Sequence, residues 1–206
     1  RLGGGALRGG LTVEGKAEPP RVALDAALAG AMIAGPVFGG LPLDLVAGKA
    51  DARADLAASG HSVAAMLATL GGSLAFGVRG GILNGYDLGA VHAAAVLPDL
   101  AEAEAALRLA LENGGATEFE RLEGEARFLD GRAALEGVSF SKEGGAVASA
   151  NGAVDAAGRE GAALDLRIAT RPIAEAPEVG LRIAGSAAEP QRFPELAPFL
   201  RWRAER

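Results

Sequence analysis

The chain has 206 residues (20.6 kDa), with 20 Lys+Arg against 26 Asp+Glu, a net charge of −6 and a pI near 5.1. At about 150 residues per domain this predicts one domain able to bury a core, and the mild acidity argues against a nucleic-acid partner, which needs a basic face. The chain has no cysteine, which excludes a disulfide framework, a thiolate metal site and a cysteine nucleophile. Half of the residues are apolar, so wholesale disorder is excluded as well. The apolar half is made of small residues: about a fifth of the chain is alanine, Gly is 31, and aromatic residues are 4%. Small side chains fill little volume, which favours a sheet covered by helices or by a ligand over a closed, tightly packed core.

The chain opens on Arg1 rather than methionine, which predicts a piece of a longer protein. It shows no apolar run of the ~20 residues a membrane-spanning helix needs and no signal peptide at its start. Gly3 to Gly10 lacks the Gly-Lys-Ser/Thr ending of a phosphate loop and reads as a glycine-softened strand at a ragged N-terminus. Ala50 to Leu56 then alternates small apolar with charged residues, the period of a half-buried strand. Ser62 to Leu70 predicts a helix with Ser62 as cap, Gly71-Gly72 as stop, and Val63, Met66, Leu67 and Leu70 on one face. Leu88 to Asn113 is helical but interrupted at Pro98-Asp99, predicting a short helix and then a better one over Asp99–Glu112.

Period two returns at Leu122–Phe128, Leu164–Ile168 and Leu181–Ile183. Asp130-Gly131, Gly144-Gly145, Ala157-Gly158 and Glu189-Pro190 supply turns between such runs. Pro194 to Arg206 predicts a terminal helix with Leu196, Phe199 and Leu200 apolar and a basic end. The fold class expected is mainly β with a few helices (α+β): an antiparallel meander with one apolar face, either covered by the short amphipathic helices or left as a groove.

Chemical constellations are weak. His61 beside Ser62 lacks the glycine elbow of a nucleophile and reads as the start of a helix. His92 with Asp87 and Asp99 is a poor metal set, and Glu123 with Glu125 reads as a solvated strand face. No catalytic residue, metal or cofactor is expected.

The order of motifs resembles the C-terminal domain of the AsmA family of Gram-negative envelope proteins. Asp55 to Ser62 is similar to the family's strand ending in Gly-x-Ser, with the helix from Val63 to Leu70 and the Gly-rich strand from Gly71 following. Gly80 to Leu88 is similar to the Asp-Gly-x-Leu-x-Gly-x-Asp-Leu strand, with Gly80 in place of the first aspartate. Thr117-Glu118-Phe119, Phe128 to Gly131, Gly152 to Asp155, Leu164 to Leu166, and Leu181 to Leu196 follow in the family's order, with Glu195 where aspartate is usual. The resemblance covers most of residues 20–200.

It implies a largely β fold in which an antiparallel twisted sheet forms an open apolar trough, a periplasmic location, an inner-membrane anchor in a missing N-terminal segment, and no catalytic residues. It implies a non-enzymatic, lipid-conducting role in phospholipid transport or outer-membrane assembly, with phospholipid and envelope proteins as partners. The residues expected to contact lipid are Leu56, Leu122, Phe128, Leu164, Leu166, Ile168, Leu181 and Ile183. Ala50, Ala52, Ala54, Gly124 and Ala126 would leave room beside them. A charge at Leu166 or Ile168 is then expected to block the path without unfolding the domain. The alternative is an interaction or capping module. Its helices over Ser62–Leu70 and Asp99–Glu112 would cover the sheet, and residues 192–206, with Arg201, Arg203 and Arg206, would dock.

Overall fold

The structure is a computed structural model that describes residues 3–39, 41–142, 144–155 and 163–206. Among these residues lie ten strands and four helices. In order they are β1 (Ala6–Glu14), β2 (Arg21–Ala34), β3 (Asp44–Ser59), α1 (Val63–Ala68), β4 (Gly71–Asn84), α2 (Leu88–Ala95), α3 (Leu100–Asn113), β5 (Ala116–Leu129), β6 (Arg132–Ser141), β7 (Val147–Asp155), β8 (Ala163–Thr170), β9 (Val179–Ser186), β10 (Pro190–Glu195) and α4 (Ala197–Ala204). The strands form one antiparallel sheet in the order β1 to β10, each pairing with its sequence neighbour. The sheet is open: β1 and β10 are its two edges.

Tight turns set this meander. Asp130 (φ 49°) and Gly131 (φ 77°) join β5 to β6 directly, with Leu129 opposite Arg132. Two consecutive positive φ angles suit the right-handed twist of a hairpin, and the Asp-Gly pair adopts them at little cost. The expected turn at Ala157-Gly158 lies outside the described residues. The strand expected over the glycine-rich start is fully paired from Ala6 on: β1 pairs with β2 along its whole length, Ala6 opposite Ala29 to Glu14 opposite Arg21.

Helices α1, α2 and α3 start where capping chemistry predicts. Asp87 and Asp99 accept from the backbone N–H groups of Ala90 (2.9 Å) and Glu102 (2.8 Å), opening α2 and α3 on either side of Pro98. Ser62 caps α1 by accepting from Ala65 N–H at 3.1 Å. At the C-terminus the expectation of a helix from Pro194 is corrected. Pro194 and Glu195 belong to β10, opposite Leu181 and Gly180 of β9, and the helix starts at Ala197. Proline lacks a ladder N–H but is tolerated on an edge strand, where one side of the backbone has no partner.

The main core lies between one sheet face and α2, α3 and α4. Leu88 and Val91 of α2, Leu107 and Leu111 of α3, and Phe199 of α4 are fully buried against Phe140, Ile168, Leu181 and Ile183. Two arginines tie the helices down. Arg192 of β10 donates to the carbonyls of Leu111 (2.8 Å), at the end of α3, and of Gly85 (2.6 Å). Arg203 of α4 donates to the carbonyls of Ala95 and Leu97 (2.7 Å), past the end of α2. The last carbonyls of a helix have no intrahelical partner, so a cation there satisfies them and opposes the dipole.

Helix α1 corrects a second expectation. It buries no residue, and Val63 and Leu67 stay 75% and 40% exposed, so it does not cover the sheet. Six residues form under two turns, too few to hold a broad apolar face against a sheet.

Candidate functional site

The strand registers assign every apolar residue to a face. Leu11, Leu24 and Leu56 form one row across β1, β2 and β3, which continues through Gly72 of β4 to Phe128 of β5. The next row runs Gly9, Ala26, Ala54, Leu74, Ala126 and Leu135. A third runs Leu7, Leu28, Ala52, Phe76 and Gly124. On β6 to β9 the same face carries Ala133, Val154 and Leu164, then Gly152, Leu166 and Ile183, then Ala150, Ile168 and Leu181. The result is a continuous apolar face spanning the sheet, because period-two alternation was kept through every turn.

All eight residues expected to contact lipid lie on this face, but their surroundings divide them. Leu122, Leu164, Leu166, Ile168, Leu181 and Ile183 are buried in the core against the helices. Ile168, Leu181 and Ile183 are 0% exposed, so no surface of theirs is open to a ligand. Only Leu56 and Phe128 are half-buried. A charge at Ile168 would therefore enter a dry core and unfold it, which corrects the expectation that such a substitution spares the fold.

The accessible part of the face is elsewhere. Leu7, Leu11 and Val13 of β1 are 57%, 65% and 61% exposed. Val22, Leu24 and Leu28 of β2, Ala50, Ala52, Ala54 and Leu56 of β3, and Leu74 and Phe76 of β4 are half-buried. The three small alanines expected to leave room, at 50, 52 and 54, lie among them. The β1 and β2 residues were missed although Val22, Leu24, Ala26 and Leu28 repeat the same period two.

The reverse face is polar and ion-paired. Arg182 holds Asp165 through two bonds of 2.8 Å, which lowers the carboxyl below its ordinary range. Arg167 bonds Glu195 at 2.7 Å. Asp165, Arg167 and Arg182 line a shallow hollow of about 550 Å³ with Arg132 and Asn151. On the same side Asp51 accepts from Gly30 N–H (2.8 Å) and pairs with Arg79 (2.8 Å). The Gly30 bond, with Arg79 assisting, holds the Asp51 carboxyl below the usual range. That contact stitches the register shift between Leu28 and Ala31 of β2 to β3.

The residues weighed for chemistry have structural jobs. His92 Nε2 lies 2.8 Å from the Thr170 hydroxyl, which itself donates to Val147 O at 2.7 Å; Nε2 is therefore the donor. Asp87 and Asp99 are caps, and Ser62 is a cap. Glu123 and Glu125 pair with Arg121 (3.7 Å) and Arg127 (3.4 Å) in solvent. Among the described residues no group of three or more His, Cys, Asp or Glu could hold a metal ion. The Tyr86 hydroxyl is buried without a partner among the described residues, and burial, with the Asp87 charge assisting, raises its pKa. The apolar face is thus closed by helices around Leu122, Ile168, Leu181 and Ile183, with Val78 of β4 in the same core, and is accessible along β1 and β2 and at Ala52, Ala54, Leu56 and Leu74 of β3 and β4. No family model, no curated protein and no solved structure matches the chain.

Proposed function

We propose that this chain is a non-enzymatic, lipid-conducting module of an AsmA-like protein. In this reading the protein is periplasmic, is anchored to the inner membrane through a segment outside residues 1–206 on their N-terminal side, and aids phospholipid transport or outer-membrane assembly. One observation supports the proposal: the apolar face is exposed at Leu7, Leu11 and Val13 of β1 and half-buried at Val22, Leu24 and Leu28 of β2, Ala52, Ala54 and Leu56 of β3 and Leu74 of β4, while around Val78, Leu122, Ile168, Leu181 and Ile183 it is filled by the protein's own helices. A face of Leu7, Leu11, Leu24, Leu28, Leu56 and Phe76 can shield an acyl chain, each methylene gaining ~0.8 kcal/mol on leaving water. Ala50, Ala52 and Ala54 run along β3 between Leu28 and Leu24 of β2 and Phe76 and Leu74 of β4, a line of small side chains on which an acyl chain can lie. The lipid path moves from the expected Leu164–Ile183 region to β1–β4, with Leu56 and Phe128 kept at its margin.

The test places a photocrosslinking residue at Leu24, with the outward neighbour Asp25 as control, in the full-length protein in its native cells. Phospholipid captured at position 24 and not at 25 supports the path; no lipid at either position defeats it.

The covered half favours a second reading, an interaction module, in which the same experiment captures a protein at position 24. The expectation that residues 192–206 serve as its dock is corrected: Arg192, Phe199 and Arg203 hold the core and the helix ends, so removing that segment would unfold the domain.

A further inference from the structure

Helix α1 is apolar on every side and buried on none. Its six residues, Val63-Ala64-Ala65-Met66-Leu67-Ala68, include no polar side chain, and none of them is buried. A helix that is apolar all round ordinarily lies in a core or a membrane. Here Ala65 and Met66 are half-buried, while Val63, Ala64, Leu67 and Ala68, which share one side of the helix, are exposed. The helix is nevertheless tied down. Ser62 caps it, the Thr69 hydroxyl accepts from Ser59 N–H (2.8 Å) and donates to Ser59 O (2.6 Å), and Gly131 N–H donates to Leu70 O (3.1 Å). The last bond joins α1 to the β5–β6 hairpin, where Leu129 is 73% exposed. Both tips stand at the end of the sheet next to the row of Leu24, Leu56, Gly72 and Phe128 on the accessible face. Toward the opposite end the strands run into the core at Leu45, Val78 and Leu83.

We propose that α1 and Leu129 dip into the surface of a phospholipid bilayer, and that lipid enters or leaves the apolar face at this end of the sheet. The proposal rests on the lipid-conducting reading and adds to it the end at which exchange occurs. The size and chemistry of the patch select the occupant. Its large exposed side chains are Val63, Leu67 and Leu129, whereas a stable protein interface engages about 20–30 residues a side. None of the three is an aromatic or arginine anchor of the kind that dominates protein contacts. Binding at the boundary between headgroups and acyl chains scales instead with the aliphatic area inserted, which a short exposed helix supplies. The neighbouring charges are mixed: His61 precedes the helix, and Asp130 and Arg132 follow Leu129. The contact is therefore to a zwitterionic surface and is insensitive to salt.

The chain has no cysteine, so a single introduced one can carry an environment-sensitive fluorophore. Labels on Val63→Cys and Leu129→Cys should brighten and shift to the blue when phosphatidylcholine vesicles are added, and should keep that shift in high salt. A label on Val96→Cys, which is also exposed but lies just past α2, should not respond. Leu67→Asp, on the exposed side of α1, should leave the circular dichroism unchanged and cut the fraction of chain that floats with the vesicles about fivefold or more. No shift at positions 63 and 129 overturns the proposal, as does an equal shift at 96 or a shift lost in salt. A label at 63 that responds to a delipidated cell extract and not to vesicles assigns the helix to a protein partner and overturns it too. The lipid path is read separately at Leu24. Phospholipid captured there with no vesicle shift at 63 defeats the membrane contact alone; a vesicle shift at 63 with no capture at Leu24 defeats the path and leaves the contact.

Discussion

The two halves of the sheet follow one pattern and reach opposite ends. On β8 and β9 the alternating residues Leu164, Leu166, Ile168, Leu181 and Ile183 are buried; on β1 and β2 their counterparts Leu11, Leu24 and Leu28 are exposed or half-buried. Alternation states only that a face is apolar. Whether that face is closed depends on where the connections go, and the α2–α3 connection between β4 and β5, with α4 after β10, lies over the later strands. One half is thus a conventional core. The other is an apolar surface whose strands are held by ladder bonds and by contacts such as Asp51 with Gly30 and Arg79.

The comparison breaks most sharply under buried charge. Ile168→Asp should cost more than about 4 kcal/mol and abolish cooperative folding. Leu24→Asp, on the same face of the open half, should cost under about 1 kcal/mol. Urea denaturation of the two variants reads the difference, and equal losses would mean that the halves are not distinct. Leu107→Ala removes a fully buried side chain of α3 and should cost about 3 kcal/mol. Its unfolding midpoint should fall, whereas Leu11→Ala should leave the midpoint nearly where it was.

Arg192→Ala should cost about 2 kcal/mol, because the carbonyls of Leu111 and Gly85 lose a charged donor. Amide exchange should then quicken in α3 and stay unchanged in β2; uniform quickening would argue against a local clamp.

The smallest effect is pH dependence. Burial lowers the His92 pKa below its ordinary 6.5, so the folded state holds the ring neutral. The unfolded chain binds the proton first as pH falls, and stability should therefore decline below about pH 6.5. Gln at position 92 keeps an N–H for Thr170 and should remove that contribution; superimposable pH profiles for His92→Gln and wild type would refute it.

Local chemistry was readable wherever it is set by a few neighbours. Pro98-Asp99 marked the break between α2 and α3, Asp130-Gly131 the hairpin, and the alternation at Ala50–Leu56 and Leu164–Ile168 the strands. What failed depended on distant partners. Pro194 read as a helix start because the edge position that tolerates it exists only once β9 lies beside it. Ser62–Leu70 read as a covering helix because its apolar spacing is genuine, yet nothing in the sequence shows that it faces solvent. The candidate lipid contacts share one face of the sheet, as their alternation implies, but most lie under the helices. Leu24 and Leu164 look alike in sequence, and only the course of the connections distinguishes them.

The pairing of each strand with its sequence neighbour makes the sheet extensible. Inserting or deleting one hairpin changes the apolar face by two strand widths, about 10 Å, and preserves which side is apolar. No other register needs to shift. The span of such a surface can be set by counting hairpins, so its reach can change by duplication while the helix-capped end stays as it is.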